Sequence, residues 1–186
     1  MDKSKINCYL RALELEDYKI THKWRTDPEM TKLMTGNVFF VSSERERKWV
    51  EEKILDDRKE IYWAICDKES NEMVGMTSLR NIDYRNRKVF IGGITVGKEY
   101  WGKHYAFYAT FLILEYAFSE LGLNKVSTDY VAGHKVSKHL FVDKLGLSQE
   151  GIFRQELYKG GKYHDIVKVA ILRDEFYKKF DYKNEL

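Results

Sequence analysis

The sequence predicts a mixed β-sheet flanked by helices, an α/β or α+β arrangement, in a single domain over residues 1–186. Three observations lead to this fold class. Two alternating segments, 62–67 and 73–81, predict paired strands joined by a polar turn. A strand at 87–96 then runs through a glycine-containing turn into an almost wholly apolar helix, and a strand–helix–strand series follows.

The elements of the first half follow from local pattern. Residues 6–13 predict a first strand, and residues 16–26 predict a short helix that ends before Asp27, because a residue preceding proline avoids the helical region. Ser42 and Ser43 are suitable caps for a helix over 44–57. The side chains expected on the buried side of that helix are Trp49, Val50 and Ile54.

The second half contains the longest predicted helix, 105–121, which is apolar nearly all round and is expected to be buried against the sheet. Gly122 is a suitable terminator. A strand at 125–131, a helix at 138–144, a hairpin at 158–165 and an apolar strand at 166–172 complete the pattern.

Composition excludes several classes of protein. The net charge of +3 comes from nearly balanced acids and bases, which argues against a dedicated nucleic-acid binder. Cys8 and Cys66 lie too far apart for a metal motif, and a disulfide framework would need more cysteines, so reduced thiols in a cytoplasmic protein are expected. The sequence has no membrane-length apolar run and no signal-peptide pattern in residues 1–10, so we expect no membrane association.

The glycine-containing turn at 97–104 is the first functional signal. Backbone N–H groups at the start of a helix have no partner within it, and the helix dipole makes that end electropositive. The start of a helix therefore binds phosphate well. Many turns, however, contain glycine only because its backbone reaches conformations that other residues avoid for steric reasons. Gly92 and Gly93, inside a strand, indicate a bulge or a close approach by another group.

The order of segments resembles the GNAT family of acetyl-CoA-dependent N-acetyltransferases along nearly the whole chain. The likeness begins at residues 10–13, continues in the Trp-Arg-Thr-Asp-Pro-Glu stretch at 24–29, and includes the turn at 101–106 and the segments from 125 to 172. Within this family, the chain is similar to the branch that contains the ribosomal-protein N-terminal, spermidine and nucleotide-aminosugar acetyltransferases. The resemblance implies a mostly antiparallel sheet with a splayed central strand pair, into which the pantetheine arm of the cofactor enters.

The resemblance implies a set of acetyl-CoA contacts. The turn matches the family's pyrophosphate pattern, with Trp101 where glutamine or arginine is common and His104 where glycine is usual; we expect His104 to keep ordinary helical backbone geometry. His134 stands where the family has a pantetheine-binding asparagine. The implied contacts are Ile94, Thr95, Val96, Trp101, Gly102, Lys103, His104, Tyr105, Ala106, His134, Ser137 and Lys138.

The catalytic groups are less determined. Many family members have a tyrosine that acts as a general acid, and Phe141 stands at that position here. Ser137 lies one helical turn before Phe141. It is either an acid near the sulfur or a helix cap. The family's strand glutamate is replaced by Phe90. The remaining candidates for a general base are Asp83, Asp129 and Asp165, each of which has an alternative role in a turn or strand edge.

The acceptor is the least determined part. The resemblance places Trp24, Arg25, Asp27 and Met34 at the acceptor side, with Trp24 either stacking on a ligand or filling the core, and Arg25 either holding a phosphate or pairing with Asp27 or Glu29. A small-molecule amine, either an amino sugar or a polyamine, is the first expectation, and an acidic groove would favour the polyamine. A protein N-terminus is the second, and a non-catalytic CoA-binding domain is the third. We expect no metal, and a homodimer is common among relatives.

Overall fold

The computed structural model describes residues 2–33, 40–55 and 59–181, and in these parts the strands form one seven-stranded sheet. The strands are β1 Cys8–Ala12, β2 Ile61–Asp67, β3 Met73–Asp83, β4 Lys88–Val96, β5 Lys125–Val131, β6 Ser148–Lys159 and β7 Lys162–Leu172. Their order across the sheet is β1–β2–β3–β4–β5–β7–β6, and every neighbouring pair is antiparallel except β4 and β5. The mixed sheet predicted from the sequence and the mostly antiparallel arrangement that the resemblance implies are both confirmed.

The described helices are α1 Tyr18–Thr26, α2 Pro28–Leu33, α3 Ser43–Leu55, α4 Tyr105–Ser119, α5 Lys135–Lys138 and α6 Arg173–Phe180. The sequence analysis missed α2 and α6, because helices of six and eight residues carry little periodic signal. Among the described residues, no helix is both long and apolar enough to cross a membrane.

The core lies mainly between the sheet and α4. Phe111 and Phe118 of α4 are almost wholly buried and pack against Phe176 of α6, with ring centroids 5.4 Å and 5.3 Å apart. A second apolar cluster on the opposite face of the sheet includes Trp24 and Met30. The predicted burial of the long helix is therefore confirmed, and Gly122 ends this region in the left-handed conformation, with a φ of +61°.

Helix α3 packs over the outer face of β2 with a buried side that differs from the expected one. Val50 is buried as predicted, but Ile54 is 39% exposed, so that prediction is wrong. The buried position one turn before Val50 is taken instead by a carboxylate, Glu46, with none of its surface exposed. Residues four apart lie on one helix face, which explains why Glu46 accompanies Val50.

The central parallel pair diverges. β4 and β5 pair at only three positions, from Lys88 with Lys125 to Phe90 with Ser127. Beyond Phe90, β4 continues to Val96 and β5 to Val131 without pairing to each other. This is the splayed strand pair that the resemblance implies, and it leaves one edge of β4 open.

The strand β4 carries the bulge that its glycines indicate. Thr77 pairs with Ile94 and Leu79 with Ile91, so β4 holds one more residue than β3 over this stretch. Gly93 has a φ of +106°, which only glycine adopts readily. A Cβ on Gly92 would lie 2.1 Å from Nε of Arg80, so a larger residue there would displace the Arg80 side chain.

The segment after β5 differs from its prediction. The helix begins at Lys135 rather than at 138, and it continues as a π-helical turn over His139–Lys144. The N–H of Leu145 accordingly donates to the carbonyl of Leu140, five residues earlier. The strand β6 begins at Ser148, well before the predicted hairpin, and the sequence analysis did not predict a strand there. The strand β7 begins at Lys162 inside the predicted hairpin, and the two strands meet at the Gly160–Gly161 turn.

Candidate active site

The turn before α4 presents a set of amides to solvent. Trp101 through His104 are exposed, and α4 begins at Tyr105. Within the described ranges, no group accepts a hydrogen bond from the N–H of Gly102, His104, Tyr105 or Ala106. Four unpartnered donors at the positive end of a fifteen-residue helix form a suitable anion cradle.

The backbone of His104 corrects the expectation for this residue. His104 has a φ of +65° and a ψ of +9°, in the left-handed region rather than in the ordinary helical region. A residue with a Cβ adopts this conformation at a cost of about 1 kcal/mol. Glycine would adopt it without strain, whereas His104 keeps the same backbone path at that cost.

We predict that His104→Gly leaves the affinity for CoA within about threefold of the unmodified protein, because the backbone amides, rather than the imidazole, form the cradle. His104 makes no side-chain capping bond, so its removal breaks none. Isothermal calorimetry with CoA measures the affinity, and His104→Ala serves as the matched control that keeps the strain. A loss beyond about tenfold in both variants would show that the imidazole itself binds phosphate.

Tyr105 contributes its amide to the cradle but not its side chain. The ring is buried, packs edge-on against Tyr100 at 6.1 Å, and its hydroxyl donates to the carboxylate of Asp67. This bond, with a second from the amide of Ser70, lowers the pKa of Asp67 to about 2. Burial and the same hydrogen bond raise the pKa of Tyr105.

We predict that Tyr105→Phe lowers stability at neutral pH and that this difference becomes smaller in acid. The pKa of Asp67 is below its ordinary value of 3.8 in the folded protein, so the stabilisation is complete above pH 3.8 and is lost as the pH falls toward 2. Urea unfolding of both proteins at pH 6 and pH ~2.5 measures the difference. An equal difference at both values would contradict the assignment.

Two contacts hold the turn in place. The amide of Asn7 donates to the carbonyl of Lys103 at 2.8 Å, and the indole N–H of Trp101 donates to the carbonyl of Val96 at 2.9 Å. The ammonium of Lys103 lies 5.4 Å from the centre of the Tyr100 ring. Trp101 therefore joins the cradle to the end of β4 and remains 44% exposed beside it.

The end of β4 keeps a free edge. Ile94, Thr95 and Val96 pair with β3 on one side, opposite Thr77, Met76 and Gly75. On the other side, β5 has already diverged. A strand-like ligand such as pantetheine would find unpaired backbone groups there, apart from the Val96 carbonyl that Trp101 occupies.

The residues after β5 have clear local roles. His134 caps α5, since its Nδ1 accepts the N–H of Ser137 at 3.1 Å. This nitrogen is then unprotonated, so Nε2 carries the hydrogen and is a donor. Ser137 is not the cap, and its half-buried hydroxyl has no hydrogen-bond partner in the described part of the chain. Lys138 is exposed, while Phe141 is buried and stacks on Tyr130 at 6.5 Å.

The three candidate carboxylates are all bonded. Asp83 is the last residue of β3, and its oxygens accept from the backbone N–H and the side-chain amide of Asn86 in the β3–β4 turn, which lowers the pKa of Asp83. It is at the opposite end of β4 from the cradle, so the structure does not bring it to the site. Asp165 accepts the N–H of Gln155 at 2.8 Å, in the bulged part of β6. Asp129 pairs with Lys168 on the neighbouring strand, on the splayed side of β5.

The residues predicted at the acceptor side separate into different roles. Trp24 is 5% exposed and belongs to the second apolar cluster, which favours the core interpretation. Asp27 caps α2 and pairs with Lys98 at 2.7 Å. Both also border a cavity of about 450 Å³ between α1, α2 and residues 98–100. Met34 lies outside the described residues.

Arg25 pairs with a carboxylate that the sequence analysis missed. Its Nη1 lies 3.2 Å from Oε2 of Glu46, so the expected pairing with Asp27 or Glu29 is wrong. The guanidinium carbon also lies 5.5 Å from the ring centre of Trp49. The signal for Glu46 was its spacing of four from Val50, which puts both on one face of α3.

Arg25 and Trp49 also line a cavity of about 220 Å³, which lies against the β4 bulge. Arg25, Trp49 and Tyr62 form one side, and Ser78, Arg80 and Gly92 form the floor. Gly93 and Thr95 also line it, so it borders the stretch of β4 that carries the open edge. Sequence reasoning missed Arg80, because nothing local indicates which strand residues face a cavity.

Comparison with known proteins gives a consistent family. Residues 7–147 match the family described as an acetyltransferase (GNAT) domain. A prophage-derived uncharacterized N-acetyltransferase of Bacillus subtilis, YokL, is 31% identical over 91% of this chain and 92% of its own. An uncharacterized N-acetyltransferase of Bacillus licheniformis, p20, is 28% identical over 90% and 93%. The crystal structure of spermidine N-acetyltransferase from Vibrio cholerae with CoA and spermine shares the fold, with a TM-score of 0.83, 23% identity, and coverage of 91% of this chain and 98% of that one.

Proposed function

Because the chain belongs to the GNAT acetyltransferase family, we propose that it transfers the acetyl group of acetyl-CoA to the primary amine of a small molecule. The observation that carries this proposal is the cradle of four unpartnered amides at residues 102–106, next to the open edge of β4. The cradle suits the diphosphate and the edge suits the pantetheine amides. The family relationship supports the same donor.

The chemistry needs little from the protein beyond positioning. The amine nitrogen attacks the thioester carbonyl, a C–N bond forms, the C–S bond breaks, and one proton leaves the nitrogen. Free alkylamines have pKa values of about 10, so the amine must first lose the proton that it carries at neutral pH. The leaving thiolate, with a pKa of about 8.5, departs without a strong acid.

Ser137 is the proposed proton donor to the departing sulfur. Its half-buried hydroxyl is uncommitted, since His134 supplies the helix cap. Asp129 is the carboxylate that we retain as a base, acting through water, because it lies on the splayed side of β5 where β4 and β5 part. The donor Nε2–H of His134 is suited to a pantetheine carbonyl, and Lys138 to a nucleotide phosphate.

We predict that Ser137→Ala lowers kcat about tenfold and leaves the KM for acetyl-CoA unchanged, since the hydroxyl acts on the leaving group rather than on binding. Steady-state kinetics of thiol release measures both constants. Ser137→Thr keeps a hydroxyl and serves as the matched control. An unaltered kcat in Ser137→Ala would mean that the thiolate leaves without a side-chain acid.

The decisive experiment follows thiol release from acetyl-CoA with a panel of amines, together with calorimetry of CoA binding. The panel holds amino sugars, polyamines such as the spermine seen with the Vibrio cholerae enzyme, and peptides with free N-termini. Turnover of a small amine supports the proposal. Turnover of peptides alone would favour the N-terminal acceptor, and CoA binding without any turnover would favour a non-catalytic domain.

The cellular setting stays a proposal. Cys8 and Cys66 are both buried and unpaired, and burial raises the pKa of the Cys8 thiol to about 12. Unreactive reduced thiols suit the cytoplasm that we propose. A homodimer is also proposed, and light scattering of the purified protein measures it.

A further inference from the structure

Among the residues that the structure describes, the cavity against the β4 bulge is lined by two cations and by no carboxylate. Its described lining includes Arg25 and Arg80 together with Tyr62, Thr77, Ser78 and Thr95. The Tyr62 hydroxyl donates to the carboxylate of Glu60, which is not one of the described lining residues. An acidic lining would be needed to attract an acceptor with several positive charges. The charge of this cavity has the opposite sign.

Arg80 is the uncompensated cation. Its Nη2 donates to the carbonyl of Gly92 at 3.0 Å, while Nε is buried without any hydrogen-bond partner. Its guanidinium carbon lies 5.7 Å from the ring centre of Phe90, and no carboxylate in the described part of the chain forms an ion pair with it. A half-buried guanidinium with an unused N–H costs free energy until an acceptor completes its hydrogen bonds, and an anion also balances its charge.

Arg25 adds a second guanidinium to the cavity, although the buried carboxylate of Glu46 balances its charge. Glu46 lies 3.2 Å from Nη1 of Arg25 and is completely buried, so a ligand in the cavity meets the arginine rather than the carboxylate. Arg25 is held against Trp49, which stands edge-on to Tyr62 with 5.3 Å between ring centres. Arg25, Arg80 and Glu46 together carry one net positive charge beside the cavity.

The position and the volume of the cavity both restrict the ligand. Arg80 bonds to Gly92, and the next residue, Gly93, forms the bulge beside the open edge of β4. An anion on Arg80 would therefore lie beside the stretch of β4 along which the thioester is proposed to bind. A cavity of about 220 Å³ has room for a compact molecule, whereas ligand pockets for larger molecules reach ~300–1,000 Å³.

We propose that the acceptor is a compact primary amine that carries a carboxylate or a phosphate, and that Arg80, assisted by Arg25, binds this anionic group. The inference rests on the proposed acetyl transfer and narrows its acceptor. It disfavours polyamines, which carry no anion. Arginine suits both anions, because its planar N–H groups bind either one in a two-point contact.

The test compares amines that differ only in the anion, in the unmodified protein and in Arg80→Met. The pairs are phosphoethanolamine with ethanolamine, glucosamine 6-phosphate with glucosamine, and alanine with alaninamide; spermidine is the cationic probe. Thiol release gives kcat/KM, and calorimetry on the CoA-bound protein gives the affinity for phosphoethanolamine, alanine and inorganic phosphate. Arg85→Met, an exposed arginine in the β3–β4 turn, is the matched control.

We expect the anionic member of at least one pair to exceed its neutral partner by about tenfold or more in kcat/KM, with the advantage lost in Arg80→Met and kept in Arg85→Met. The phosphate pairs and the alanine pair distinguish the two anions. Preference for neutral amines or spermidine would overturn the proposal, as would equal affinity for all three calorimetric probes in the unmodified protein and Arg80→Met.

The same experiment separates this inference from the proposed function. If no amine is acetylated, the acetyl-transfer proposal fails, and the anion site is judged by calorimetry alone. Arg80→Met must still bind CoA with unchanged affinity, which shows that the variant is folded. Arg80→Lys keeps the charge without the two-point contact, and we expect it to recover part of the lost affinity.

Discussion

Gly102→Asp is expected to weaken CoA binding by about 100-fold or more, which corresponds to ~2.7 kcal/mol. The substitution places a carboxylate in the cradle, where it repels a diphosphate and competes for the same amides. Gly102 is exposed, its φ is +80°, and a Cβ would meet nothing within 4 Å, so the side chain fits without a steric clash. Calorimetric titration with CoA measures the loss.

The control for this variant is Gly102→Asn, which has the same shape without the charge. Asparagine tolerates a positive φ better than most residues, so both variants carry similar backbone strain. We expect the asparagine variant to lose about tenfold or less, and the aspartate variant to recover partly at high salt. Equal affinity in the unmodified protein and Gly102→Asp would rule out a diphosphate at this turn.

Arg25→Met is expected to lower the free energy of unfolding by about 2–3 kcal/mol at neutral pH, because it leaves the carboxylate of Glu46 buried and unpaired. Glu46 is wholly buried, but the side chain of Arg25 is 36% exposed, which allows water to reach part of the site and limits the effect. The melting temperature should fall by roughly 4–12 °C for a chain of this size. Urea unfolding and calorimetric melting measure the two quantities.

The matched control is the double variant Arg25→Met with Glu46→Leu. Replacement of both charges by apolar side chains removes the unpaired carboxylate, so most of the lost stability should return. If the double variant were less stable than Arg25→Met, the ion pair would not be the cause of the loss. The comparison also separates the structural role of Arg25 from its proposed contact with an acceptor.

The geometry of the proposed cofactor end of the site was largely predictable from local sequence. The strand, the glycine turn and the apolar helix at 88–119 are consecutive in the chain, so short-range pattern was sufficient to place unpartnered amides at residues 102–106. The backbone of His104 was not predictable in this way. Its left-handed geometry follows from the path of the turn, which the bonds of Asn7 and Trp101 hold from outside.

The charged residues show where local reasoning fails. Arg25 has Asp27 and Glu29 as sequence neighbours, yet it pairs with Glu46, which α3 brings to it from another part of the chain. Asp83 was a candidate general base by residue type, but its carboxylate accepts a hydrogen bond from Asn86 in the β3–β4 turn. The partner of a charge depends on which elements pack together, and that information is spread over the whole chain.

The sequence by itself determined most of the strands and helices, although it missed α2 and α6, and it determined the burial of the long helix that begins at Tyr105. It also indicated the irregularity of β4 at its glycines, because periodicity and glycine positions act over a few residues. Only the tertiary structure decided that Arg80 faces a cavity at the β4 bulge and that Glu46 is buried beneath Arg25. These features arise where α1, α3 and the sheet meet. Burial and charge compensation are properties of that packing, and no short segment of the chain contains them.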